Sequence, residues 1–411
     1  MKKKLKSVAL ICICMLLAVT VVCGNVPTKS YQVKAASSSS TITVGKFITL
    51  LTKASGAKKS DLVKVGEFTK TSAKITYEDA AVLADRADIF KNGEKYSVSL
   101  YDNIVSKKRI SDISKSTKSK RKAIYRSFTK GIMVGKSNGS YSQNRKFEPK
   151  SYLTIGDANT IAERIKSKTK RIKLSYDGQV IRTTNLPKNY KSFPYILASF
   201  PNSFYEHKFM YQLIDKDDLK NMVVGENYAS PVKLTKVNRA DYNIGESLKT
   251  KDGDKVIKNL MTNLKYRFNY NYKTTKKNDW ITAMASTYND KEYAARIAKK
   301  YTQYADDRKV VVQSSQIVIE PSATYYYAGT VIFRGHARIK VTAGKFEQWQ
   351  GNDQNYMIMG YSTYFKGLKN AKWYDFNFEI MVCSEDIDQY FPDYRIRWIT
   401  DTMYSLGEMR N

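Results

Sequence analysis

The chain has 411 residues, with 70 Lys plus Arg against 38 Asp plus Glu, a net charge of +32, 31 Tyr and two His. That length suits two or three domains, each with its own core, and two His leave little room for metal or imidazole chemistry. The positive balance favours anionic partners without choosing among them.

Residues 1–35 read as a secretory signal: Lys2, Lys3, Lys4 and Lys6 form a basic start, Val8 to Val22 is apolar, and Val33-Lys34-Ala35 offers a small-residue cleavage site. The apolar run is short for a membrane span, so the mature chain is expected to start at Ala36. Cleavage removes six Lys and no acidic residue, taking the net charge from +32 to +26, and three of the four Cys leave with it. Cys383 then stands alone in an exported chain, the pattern of a bacterial surface protein without disulfides.

After a short Ser-rich lead, Ser37 to Ser40, one pattern occurs three times: Ile42-Thr43-Val44-Gly45 to Ala54, Ile75-Thr76-Tyr77-Glu78 to Ala87, and Leu153-Thr154-Ile155-Gly156 to Ile165. Each copy reads as a short helix with Thr43, Thr76 or Thr154 at the N-cap. Asp79 and Asp157 follow three places on, so two capping boxes are expected. Four, seven, eight and eleven places after each Thr stand Phe47, Leu50, Leu51, Ala54, then Ala80, Leu83, Ala84, Ala87, then Ala158, Ile161, Ala162, Ile165. The copies share one apolar face. Helices this short are marginal alone, so the three faces are expected to pack together or on partner helices.

Between the second and third copies, Lys107 to Lys130 is densely basic, with Ile124 and Phe128 on one helical face and Gly131 placed to end that helix. Lys136-Ser137-Asn138-Gly139-Ser140-Tyr141 is a turn. One reading makes this turn a glycan contact, with Tyr141 as a stacking platform, Lys136 or Arg145 pairing with acidic substituents, and Asn138 and Tyr77 beside them. The other makes it a solvated loop beside a buried Tyr. A second basic run, Arg164 to Lys173, closes the repeat region.

The three copies resemble the Ile-Thr-Arg-Ala-Glu helix of S-layer homology modules. Ile110-Ser111-Asp112-Ile113, Ala123-Ile124-Tyr125, Gly131-Ile132, Gly135, Asn138-Gly139, Tyr141, Phe147 and Pro149 are similar to that family's lead-in. The resemblance implies an all-α, three-fold helical bundle over residues 36–170 in a secreted surface protein of a Gram-positive bacterium. Its partner would be an anionic secondary cell-wall polysaccharide, bound without a covalent link. Val44, Tyr77 and Ile155 stand where the family carries its Arg.

From 171 to 245 the character changes: Asp177-Gly178 reads as a turn, Gln179 to Thr184 as a strand, and Pro187, Pro194 and Pro201 as breaks. A small β-rich connector is expected. Residues 246–411 read as α+β. Ile257, Met261, Leu264 and Phe268 form one helical face, and Asn289 with Glu292 would cap a helix whose face is Ala294, Ile297, Ala298 and Tyr301. Strand-like runs dominate after Val310, which predicts helices on one face of an antiparallel sheet. Tyr266 to Lys273 alternates like a strand at what is also a helix end, and both readings stand.

A lone Cys383, approached by His336, is a conceivable nucleophile, although an unreactive thiol at a strand end fits the flanking residues better. No zinc spacing, Gly-x-Ser-x-Gly elbow or phosphate loop is present, so neither metal nor cofactor is expected. The favoured reading is a non-catalytic protein at the cell wall, held to anionic polysaccharide, peptidoglycan or another wall polymer while it displays a C-terminal binding domain. The alternative is a wall-active hydrolase using carboxylates such as Glu379 with Glu385 or Asp386. Sequence-specific nucleic-acid binding is not expected of an exported chain.

Overall fold

The computed structural model describes residues 40–207, 251–327, 330–344, 369–383 and 403–410. The expected signal segment, connector residues 208–245, and Glu385 with Asp386 lie outside them. In chain order the first part holds α1 (Val44–Ser55), α2 (Lys59–Leu62), α3 (Tyr77–Asn92), α4 (Val98–Ser106) and α5 (Arg121–Thr129). The short pair β1 (Lys136–Ser137) and β2 (Arg145–Lys146) and then α6 (Ile155–Lys166) complete it.

The repeat helices are α1, α3 and α6, and the faces set by their spacing are buried. Phe47, Leu51, Ala80, Leu83, Ala84, Ala87, Ala158, Ile161 and Ile165 join one core with Ile124 and Phe128 of α5, while Leu50 packs at its edge. Backbone hydrogen bonds relate the copies by a three-fold permutation. The N–H of Ile42 donates to the carbonyl of Leu153 (3.0 Å), that of Leu153 to Ile75 (2.9 Å), and that of Ile75 back to Ile42 (3.2 Å). One residue into each helix, the N–H groups of Val44, Tyr77 and Ile155 reach the carbonyls of Ala73, Ser151 and Ser40, each at 2.9 Å. These acceptors stand three residues before Thr76, Thr154 and Thr43, so each copy binds the next and the third binds the first.

The Thr caps form, with Thr43 accepting from Lys46 N, Thr76 from Asp79 N and Thr154 from Asp157 N. The reciprocal arm of the expected capping boxes differs. Asp79 and Asp157 accept from the Thr hydroxyls, at 2.7 and 2.8 Å, whereas Asp61, three places after Lys58 at the start of α2, does accept from its cap N–H at 2.7 Å. Gly131 ends α5 with φ +67°, and a Cβ there would lie 2.1 Å from the carbonyl oxygen of Ile172. Only glycine allows that backbone crossing.

Residues 171–207 hold β3 (Ile181–Arg182), β4 (Ile196–Leu197) and the short α7 (Asn202–Glu206). The connector is thus less regular than expected: its described part has one two-residue antiparallel ladder. Pro187, Pro194 and Pro201 withhold the N–H groups a longer ladder needs. Phe193, Phe200, Phe204 and Tyr205 instead build an aromatic cluster that packs on Val318, Ala323 and Ile332.

The C-terminal part runs α8 (Lys251–Arg267), β5 (Tyr270–Asn271), α9 (Lys277–Ser286), α10 (Lys291–Asp307), β6 (Val311–Tyr327), β7 (Thr330–Thr342), β8 (Trp373–Cys383) and β9 (Met403–Arg410). The strands form one antiparallel sheet in sequence order. Phe268 and Tyr270, in the segment with two readings, are both buried, with the helix ending at Arg267 and the strand starting at Tyr270. The cap of α10 is Asp290, which accepts from Tyr293 N at 2.8 Å, rather than Asn289.

The two sheet faces differ. Phe333, Ala337, Ile339, Phe376, Phe378 and Ile380 meet the helices in an apolar core. The opposite face carries Arg334, His336, Asn377 and Glu379 toward the N-terminal part, and Arg334 reaches the carbonyls of Phe204 and His207 at 3.3 and 3.1 Å. Among the described residues no helix is long and apolar enough to cross a membrane.

Candidate functional site

Three-fold equivalence places Gly45, Glu78 and Gly156 two residues after their caps, and Lys46, Asp79 and Asp157 three after. The first two positions have the same backbone setting: Gly45 N–H donates to Thr71 O at 2.8 Å and Glu78 N–H to Pro149 O at 3.0 Å. The counterpart for Gly156 precedes Ser40 and lies outside the described residues.

Beside Gly45, which Thr71 approaches to 3.2 Å of where a Cβ would stand, a cleft of about 500 Å³ opens along α1. Its walls include Lys46, Thr49, Thr52, Lys59 and Thr71, with Ile48 at the base. The Thr49 and Thr52 hydroxyls donate back to the Gly45 and Thr49 carbonyls, so toward a ligand they offer lone pairs. Among the described residues neither Lys46 nor Lys59 has an ion-pair partner, and no acidic residue lines the cleft. The cleft therefore offers two ammonium groups to an acid and hydroxyl acceptors to a donor such as a sugar hydroxyl.

At α3 the same place is filled. The Glu78 side chain, 3% exposed, accepts from Lys150 Nζ (2.8 Å), Lys120 Nζ (3.0 Å), Thr117 N (3.0 Å) and Thr117 Oγ1 (2.8 Å). Asp79 takes Lys120 Nζ as well, at 2.6 Å. Burial acts to raise the Glu78 pKa, but the hydrogen bonds from Lys150, Thr117 and Lys120 outweigh it and hold the carboxyl down to about 2.

The five residues expected at a glycan contact are not gathered in this cleft. Lys136 pairs with Glu148 at 2.6 Å, and the Asn138 amide donates to Ser111 Oγ (3.1 Å) and Asn144 Oδ1 (2.6 Å). Tyr141 lies against the C-terminal sheet, stacked on the His336 ring at 3.5 Å with 3° between planes, its hydroxyl 3.3 Å from Asn377 Oδ1. Arg145 donates to the carbonyls of Val134 and Gly135, both at 2.8 Å, and burial pulls its pKa down to about 10. The Tyr77 hydroxyl donates to Asp157; burial first, and that carboxylate second, push its pKa far above the ordinary phenol range.

Arg86 and Arg164, identical in two copies, have matching jobs that sequence reasoning passed over. Arg86 reaches the carbonyl of Leu62 (2.8 Å) and Arg164 that of Ile132 (2.9 Å), each tying its helix to the turn before it. The repeat of Arg at one offset was the available signal.

His336 lies cross-strand from Asn377, whereas Cys383 lies opposite Thr330. Six residues of strand separate the two positions, about 20 Å at the usual rise, so the backbone register keeps His336 away from Cys383. Glu379 is fully buried and accepts from Arg334 Nε and Nη2 at 2.9 and 2.6 Å. Among the described residues no group of three His, Cys, Asp or Glu is placed to hold a metal ion. No family model, curated protein or solved structure matches the chain.

Proposed function

We propose that the N-terminal part holds the chain, without a covalent bond, to an anionic glycan of the cell wall, in the manner the S-layer homology resemblance implies, and that the C-terminal α+β part is displayed from it. The α1 cleft carries this reading. It joins two unbalanced lysines to a row of hydroxyl acceptors, which suits a sugar polymer bearing acidic groups better than a neutral one. Tyr77, in the family's Arg position, bonds Asp157 of the neighbouring copy, so in this chain that position ties copies together and the positive charge comes from Lys46 and Lys59.

The test is co-sedimentation of the full chain with purified walls, before and after the secondary polysaccharide is stripped, with wild type and a Lys46→Glu/Lys59→Glu variant. Wild type sediments with intact walls and is released by stripping, and the variant stays in solution. Equal sedimentation of both proteins would remove the cleft from the account and leave only the general positive charge.

A further inference from the structure

The connector rests on the sheet at an irregular point of β6. Glu320 pairs across the ladder with Arg334 and Tyr325 with Ile332, so Pro321 to Thr324 stand against Phe333 alone and bulge out of register. The bulge presents Ser322 to the connector, where its Oγ lies 2.8 Å from the carbonyl oxygen of Tyr195 and 2.7 Å from Glu320 Oε2. A serine hydroxyl has one hydrogen to give, and a carbonyl only accepts. Both contacts are hydrogen bonds together only when Glu320 is a neutral acid that donates to Ser322. The Tyr205 hydroxyl, which accepts from Leu197 N–H at 2.9 Å, also bonds Ser322.

The surroundings favour the neutral acid. Glu320 is fully buried, and among the described residues its Oε1 has no hydrogen-bond partner. Arg334, its cross-strand neighbour, is committed elsewhere: Nε and Nη2 donate to Glu379, and Nη1 to the carbonyls of Phe204 and His207. From the connector, Tyr176, Asp177, Tyr195 and Tyr205 stand within the field of Glu320, with Arg182 beside Tyr205. Asp177 is already paired with Arg109 at 2.6 Å, and burial holds the three phenols neutral far above their ordinary range. Burial, opposed by hydrogen bonds from Ser322 and Ala323, likewise raises the Glu320 pKa from 4.5 to about 8.

We infer that Glu320 and Ser322 form a proton-dependent latch, which holds residues 171–207 on the C-terminal sheet while Glu320 is neutral and releases them when it ionises. On ionisation the proton leaves to solvent, the carboxylate takes the Ser322 hydrogen, and the Tyr195 carbonyl beside β4 loses its donor. The new charge then faces Asp177 with Arg334 already engaged. Because the pKa is higher in the docked state, the latch is fully present below pH 4.5 and is lost as pH rises through 8. His336, at the Tyr141 contact on the same sheet face, acts in the opposite sense: burial lowers its pKa from 6.5, so its contribution is lost as pH falls. Above pH 7 the Glu320 effect is read alone.

Hydrogen exchange of the full chain, corrected for the intrinsic rise of rate with pH, tests this at the amides of residues 190–205. Wild type should lose about tenfold in protection there between pH 7 and 9. Glu320→Gln, whose amide donates to Ser322 as the neutral acid does, should keep its protection at both pH values, and Ser322→Ala should be poorly protected at both. If wild type keeps its protection, or loses it in parallel with Glu320→Gln, the latch is wrong. Infrared spectra of wild type decide the point even where a variant fails to fold: a protonated carboxyl band at pH 7 that disappears by pH 9 is expected, and its absence at pH 7 overturns the inference.

Discussion

The clefts at α1 and α3 share a backbone and differ in what they use their charges for. At α3 the lysines are partners of a buried Glu and belong to the fold; at α1 they are exposed and form no ion pair among the described residues. Repeats make this division possible, because one copy can be spent on rigidity while a sister copy keeps the same geometry open. Charge in a cleft is thus informative only when set against the acids already there.

The contrast is broken most sharply at Glu78. Glu78→Gln should cost about 2 kcal/mol in urea unfolding at pH 7, since it weakens charge-assisted bonds to a group that is 3% exposed. The pKa is lowered in the folded chain to about 2 from 4.5, so the stabilisation is complete above pH 4.5 and is lost as pH falls through 2. The gap between wild type and variant should shrink over that interval; a gap independent of pH would mean that shape rather than charge is at stake. Lys120→Met comes next, at about 1 kcal/mol, because its ammonium joins Glu78 to Asp79 while being partly exposed. Smallest is Lys46→Met/Lys59→Met, which should leave unfolding within about 0.5 kcal/mol of wild type. A loss as large as that of Lys120→Met would erase the distinction between a structural and a free pair.

Much of the helical architecture could be read from spacing. Thr at the caps and apolar residues four, seven, eight and eleven places on identify α1, α3 and α6, because helix period and cap chemistry are local properties. Of the three helices beside the sheet, α8 and α10 were readable for the same reason, though Asp290 took the cap from its neighbour Asn289, and α9 was not read. The polar face of the sheet was hidden. Arg334, His336, Asn377 and Glu379 look like a solvent-facing pattern, and their burial depends on Tyr141 and the aromatic cluster around Phe204 arriving from far away in sequence. The loop 136–145 kept two readings for a similar reason: polar residues around a Tyr suit a ligand contact or a loop beside a buried Tyr, and only the structure shows that Lys136, Asn138 and Arg145 have partners within the chain. The closed cleft was signalled by Gly, Glu, Gly two places after the caps. Only the positions of Lys120 and Lys150 show what the odd Glu is for.

The ring formed by Ile42, Leu153 and Ile75 has no terminal member, and that governs how the N-terminal part can be cut and how it can assemble. Within this ring each copy gives one N–H to one neighbour and one carbonyl to the other, a head-to-tail interface that is satisfied only when three copies close on themselves. A chain deprived of one copy keeps an open donor at one end and an open acceptor at the other. Such molecules complete the circle by borrowing from one another, so a two-copy truncation is expected to run as mixed oligomers on a sizing column, whereas the three-copy chain consumes its own edges.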